Sequence, residues 1–150
     1  MRRYRRERSF DARVEWHREL AETAKTLSNR SRAFRYAGKH GLPAQLLPGA
    51  QELGTLAFRF QELAEQASLF AKPDTCSAIR QVMAELDDLV PLFEDAPDLE
   101  PDAGQDNPHP FDVSIAGMNL VYELLARDLR ELLGLKKLDD HAFLDDLTWV

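Results

Sequence analysis

The sequence predicts an all-α protein, an up-and-down bundle of four main helices plus a short C-terminal helix. Three observations predict it. Apolar residues recur at steps of three and four along most of the chain. No segment shows the sustained apolar–polar alternation of a half-buried strand. The break at Lys72-Pro73-Asp74 is short enough to make the helices on either side antiparallel neighbours.

The first helix is expected over about 9–37, where Phe10, Val14, His17, Ala21, Ala24, Ser28 and Ser31 keep helical spacing and Trp16, Leu20, Leu27 and Phe34 widen the stripe. Ser9 is its expected N-cap, with Asp11 and Glu15 near the positive end of the helix dipole. Gly38 to Pro43 ends it, because Gly accepts the left-handed cap conformation and Pro43 disfavours helix at Leu42. A second helix follows over about 50–71, with Leu53, Leu56, Phe60, Leu63, Ala67 and Phe70 in unbroken steps, and core packing is the expected role of Phe58, Phe60 and Phe70.

The third helix, about 75–93, has Asp74 or Thr75 as cap and carries Ile79, Val82, Met83, Leu86, Leu89, Val90 and Phe93. Pro91 should stop or kink it near Val90. The fourth, about 112–133, is capped by Asp112 and ends at Gly134, with Ile115, Met118, Tyr122, Leu125, Leu129 and Leu132 on its stripe and Glu123 one turn before Arg127 as a favourable ion pair. A short helix at about 138–147 would turn Leu138, Phe143, Leu144 and Leu147 to the bundle and its aspartates to water.

With 150 residues, 44% hydrophobic and 30% charged, the chain suits one compact domain. Residues 1–8 read as a basic arm and 9–150 as a single bundle domain with an acidic, Pro-rich loop at 94–112. No apolar run approaches the roughly 20 residues of a spanning helix, and no apolar stretch follows the N-terminal arginines as a secretory signal would require. The one cysteine, Cys76, forms no internal disulfide, so a soluble chain in a reducing, cytoplasmic setting is expected.

The net charge of -7 hides a division. Residues 1–39 hold twelve of the 19 Lys and Arg against five acids, a balance of +7, and the other 111 residues stand at -14. Such a split favours docking of the basic arm on acidic protein surface, or its binding to a polyanion.

Phosphate-cradling and nucleophile-elbow sequences are missing, and Gly38-Lys39-His40-Gly41 reads as a helix-ending turn. Glu15 and His17 stand two apart, while Glu62 and Glu65 have no His partner, so the paired Glu-x-x-His set of di-iron bundles does not arise. His17 reads as a hydrogen-bonded core or boundary histidine and Cys76 as a buried thiol. The group Asp139, Asp140, His141, Asp145 and Asp146 reads as a solvated acidic face, since it lacks the oxygen spacing of a calcium loop.

No catalytic residue, cofactor or metal ligand is therefore assigned. The candidate partner-binding residues are Arg2, Arg3, Arg5, Arg6 and Arg8 of the arm and Asp98, Glu100, Asp102 and Asp106 of the acidic loop. The expected function is that of a non-enzymatic interaction protein, a self-associating regulator, adaptor or assembly subunit. The alternative is a polyanion-binding module that uses the arginines on nucleic acid or an anionic membrane surface. A bundle enzyme assembled from scattered Glu, Asp and His stands third.

Overall fold

The computed structural model describes residues 2–40, 46–94 and 109–134. They form α1 (Arg2–Lys39), α2 (Leu46–Ala64), the single-turn α3 (Ala67–Phe70), α4 (Pro73–Glu94) and α5 (Pro110–Leu132), with no strand among the described residues. The fold is the all-α bundle that the periodicity predicts. The helix expected at 138–147 and residues 95–108 of the acidic loop lie outside the described residues.

α1 packs on α2 and α5, and α4 packs on the same two, so the long helices make a square with α1 and α4 across one diagonal. Trp16, Glu19, Arg30 and Phe34 of α1 meet Leu63, Arg59, Glu52 and Gly49 of α2 in descending order. Lys25, Ser28 and Phe34 likewise meet Tyr122, Asn119 and Phe111 of α5. Neighbours are thus antiparallel, as an up-and-down bundle requires. Phe60, Phe111, Leu20, Leu27, Leu53, Ile79, Leu86 and Leu125 are fully buried between them.

Several helix ends differ from expectation, each for a local reason. α1 starts at Arg2, and Ser9 lies exposed inside it. Residues 2–8 contain no Gly or Pro and are rich in Arg, a good helix former, so nothing halts the helix at a serine whose interior cost is a few tenths of a kcal/mol. At the other end the helix passes Gly38, and the His40 amide still donates to the Tyr36 carbonyl.

α2 begins at Leu46, ahead of the expected 50, because Pro48 falls in the first turn, where amides have no intrahelical acceptor anyway. It also stops early. Trp16 Nε1 donates to the Leu63 carbonyl at 2.8 Å, and the Gln66 amide takes the same oxygen at 3.1 Å, so the bond that Ala67 would have made is displaced. A two-residue turn at 65–66 results, and the predicted continuous helix to 71 becomes α2 plus α3.

α4 opens two residues early with Pro73 at its first position, where the ring's fixed φ is already helical. It then runs through Pro91 to Glu94, losing one intrahelical bond close to its end. α5 is capped by His109, whose ring accepts the Phe111 amide at 3.1 Å, with Pro110 following; Asp112 lies inside the first turn instead of capping it. Gly134, at φ 68°, closes α5 in the left-handed region, as its sequence position suggests.

Phe58 corrects the expected core, being 64% exposed. The buried line of α2 is Leu53, Ala57, Phe60 and Leu63, and a residue two before Phe60 lies roughly 200° round the helix from it. Phe60 is fully buried, and Phe70 packs its ring against Trp16 at 5.6 Å.

Candidate functional site

The chemically capable side chains gather at one end of the bundle, where the N-terminal half of α1, the last turn of α2, α3, the start of α4 and the end of α5 meet. Asp128, on α5, is buried although charged. Its Oδ2 accepts the Thr75 hydroxyl of α4 at 2.5 Å, and its Oδ1 accepts Arg127 Nε and Nη2 at 3.0 and 2.9 Å. Arg127 Nη2 also donates to Asp74 Oδ2 at 2.8 Å, and Asp74 Oδ1 accepts the Thr75 amide at 2.9 Å. Asp74, Thr75, Arg127 and Asp128 therefore close a ring of charge-assisted hydrogen bonds across the α4–α5 junction, and Lys72 pairs with Glu131 beside it. The Arg127 hydrogen bond holds the exposed Asp74 carboxyl below the usual carboxylate range, and the two carboxylates, Asp74 foremost, raise the guanidinium.

Helical spacing suggests Glu123 as the partner of Arg127. The structure gives Arg127 to Asp74 and Asp128 instead, since chelation by two carboxylates across a helix junction outweighs one exposed pair on a helix surface.

His17 faces this region from α1, 3% exposed and edge-on to Trp16 at 5.0 Å. Its Nδ1 donates to the Arg13 carbonyl at 2.8 Å, which leaves Nε2 as the lone-pair nitrogen of the neutral ring. Burial lowers its pKa, against the opposing pull of that hydrogen bond and of the Asp128 charge. His17 is thus the buried, hydrogen-bonded histidine that its place in the stripe predicts. Cys76 is buried too, its thiol donating to the Ala67 carbonyl at 3.3 Å.

This arrangement ties helices together. Thr75 is fully buried and its hydroxyl is held by Asp128, so it meets no solvent-borne substrate. Among the described residues no three His, Cys, Asp or Glu are grouped to hold a metal ion, and no helix is long and apolar enough to cross a membrane.

The predicted partner-binding arginines lie elsewhere. Arg2, Arg3, Arg5, Arg6 and Arg8 belong to the first two turns of α1, which continue the bundle helix without a break. Asp98, Glu100, Asp102 and Asp106 lie outside the described residues. At 1.5 Å per residue the 38 residues of α1 span roughly 57 Å, against roughly 29 and 35 Å for the 19 of α2 and 23 of α5. Because Trp16 is already level with the last turn of α2, the turns before about Phe10 extend past the described ends of α2 and α5 and overhang the described bundle. Positions 27, 24, 20 and 16, which are buried, continue in steps of three and four to 13, 9, 6 and 2, occupied by Arg13, Ser9, Arg6 and Arg2. The register that carries the core becomes cationic where α1 leaves it.

At the root of this overhang Phe10, Asp11, Val14, Glu15 and Arg18 of α1 and Leu133 after α5 line an open groove of about 390 Å³. Phe10 is 42% exposed in it. Sequence reasoning missed both the groove and the Asp128 ring. Asp128 was within reach of it, standing three residues after Leu125 and four before Leu132 on the apolar stripe. Comparison with known protein families, with curated proteins and with solved structures finds no match to this chain.

Proposed function

We propose that this chain is an interaction protein, a regulator, adaptor or assembly subunit that works through protein–protein contacts and self-association instead of catalysis. The observation that carries the reading is the overhang of α1, a helix that runs past its neighbours and changes from apolar to cationic as it does so. Val113, Ala116 and Leu120 add an exposed apolar row on α5, the kind of surface that a partner helix covers. The buried states of Thr75, Cys76, His17 and Asp128 support the non-catalytic part of the proposal. A reducing, cytoplasmic setting suits the lone buried thiol.

The same overhang favours one second reading, a polyanion grip by the arginines of the first turns. Replacing Arg2, Arg3, Arg5 and Arg6 with Ser and following sedimentation equilibrium and heparin retention of the full chain separates the two. Under the first reading the oligomer shifts toward monomer while thermal stability holds, since exposed charges contribute little to a packed core. Under the second, the slope of log affinity against log salt on duplex DNA flattens by up to about 3.6 units for four lost phosphate contacts. A variant unchanged in self-association, heparin retention and lipid binding overturns both.

A further inference from the structure

α2 and α3 carry one uninterrupted helical pattern. Leu53, Ala57, Phe60, Leu63, Ala67 and Phe70 follow one another in steps of three and four, and residues 55–72 contain no Gly or Pro that would break a helix. Glu65 and Gln66, where the break falls, are good helix formers. Gln66 nevertheless stands at φ -91° and ψ 2°, away from helical values. The Leu63 carbonyl is the point of conflict, accepting Trp16 Nε1 at 2.8 Å and the Gln66 amide at 3.1 Å. In a continuous helix that oxygen takes the Ala67 amide, and the Gln66 amide bonds to Glu62. The local sequence therefore favours a helix that a side chain 47 positions away on α1 interrupts.

We infer that α2 and α3 are two halves of one helix kept apart by Trp16, so that the junction at 65–66 is a two-state element. It is broken while the Trp16 N–H holds the Leu63 carbonyl, and continuous over 46–70 once the indole lets go. Both forms bury the same side chains. Ala67 stands four residues after Leu63 and Phe70 three after Ala67, so joining the helices leaves both on the face that now meets the core. Backbone bonding favours joining as well, since the Leu63 oxygen gains an amide of its own helix in place of the indole. Packed elements with two such arrangements change in discrete steps and not by gradual bending. Trp16 moves with α1, its ring buried and set against Phe70 at 5.6 Å, so displacement of the N-terminal half of α1 is what opens the latch. The change passes on to α4, because the Ala67 and Ala71 carbonyls accept the Cys76 thiol at 3.3 and 3.7 Å. The junction thereby couples the position of α1 to the first turn of α4, whichever partner acts on the protein.

Trp16→Phe in the full chain tests the latch, since phenylalanine keeps an aromatic ring in the core and deletes the N–H. Nuclear magnetic resonance reads the outcome residue by residue. The α-carbon shifts of residues 64–67 are expected to move to helical values, and the Ala67 amide to exchange at least about tenfold more slowly than in the unaltered protein. Amides of residues 20–34 keep their protection, which shows that the bundle is intact. Benzothienylalanine at position 16 is the second variant, an isostere of tryptophan with sulfur in place of the N–H, and it retains the packing if Trp16→Phe fails to fold. The same gain of helix is expected of it. Shifts that stay non-helical at 64–67 in either variant that keeps the bundle, or an Ala67 amide that exchanges as fast as before or faster, mean that packing and not the N–H sets the break, and overturn the inference.

Discussion

Thr75→Val isolates one hydrogen bond of the ring that joins α4 to α5. Valine keeps the shape of threonine, so the packing of a fully buried side chain is retained while the hydroxyl that donates to Asp128 Oδ2 at 2.5 Å is lost. Asp128 keeps Arg127 on its other oxygen but retains a buried lone pair with no donor from Thr75. Hydrogen bonds to charged groups contribute about 1.5–3 kcal/mol, and the loss is expected near 2 kcal/mol. With a urea dependence of about 1–3 kcal/mol per molar, the unfolding midpoint should fall by roughly 1 M. Asp128→Ala should cost about 3 kcal/mol, because Thr75 is then orphaned while the partly exposed Arg127 still holds Asp74. The double variant should cost less than the sum by about 1–3 kcal/mol, the coupling expected of residues in direct contact. Urea titrations followed by circular dichroism give all three numbers. A loss below about 0.5 kcal/mol for Thr75→Val, or strict additivity, would refute the claim that this ring joins the two helices.

Phe60→Ala should destabilise by about 3–5 kcal/mol while Phe58→Ala, removing a 64% exposed ring on the same helix, changes stability by no more than about 0.5 kcal/mol in the same titrations. Gly54→Ala should stabilise by about 0.5–1 kcal/mol, since nothing lies within 4 Å of the added carbon. Gly117→Leu should destabilise by about 1–3 kcal/mol, because even its first carbon would stand 3.0 Å from Val82 Cγ2 and 2.8 Å from Glu85 Oε2; equal midpoints for the two glycine variants would contradict the close approach of α4 to α5. The His17 pKa is lower folded than unfolded, so the unfolded chain takes up the proton first: stability should be full above about pH 6.5 and fall as the pH drops below it, and His17→Gln should flatten that slope by up to one proton.

The periodicity of the apolar residues carries the four long helices and most of the core, because each helix buries one face and three-and-four spacing is the direct consequence of that burial. His17 is legible on the same ground, as a polar group within an apolar stripe, and Cys76 from the lack of a neighbouring His to activate its thiol. What the sequence conceals is decided by contacts between distant residues. The stop of α2 depends on Trp16, 47 residues away, competing for the Leu63 carbonyl. Asp128 is buried only because Thr75 and Arg127 both reach it, and spacing within one helix reports the first turn of neighbours alone. Ser9 illustrates the opposite error: a good capping residue marks a helix start only where the preceding residues resist helix, and the arginines before it do not.

Those arginines sit where helix electrostatics opposes them. The first turns of a helix carry partial positive charge, and α1 places five arginines there with no acidic residue in its first turn. Arg2 and Arg6 are also like charges one turn apart, a spacing that weakens an isolated helix. Beyond Phe10 neither α2 nor α5 extends far enough to compensate by packing. Each mismatch costs only about 0.3–1 kcal/mol, but the costs add over the same first turns. An anionic surface placed against the overhang removes the mismatch at once, so helix formation in residues 2–9 and binding of that surface must favour each other. The two partners weighed under the proposed function, an acidic patch on another copy and a polyanion, would compete for the same turns. Under the proposed function, whichever anionic partner held those turns would set the helicity that the other meets.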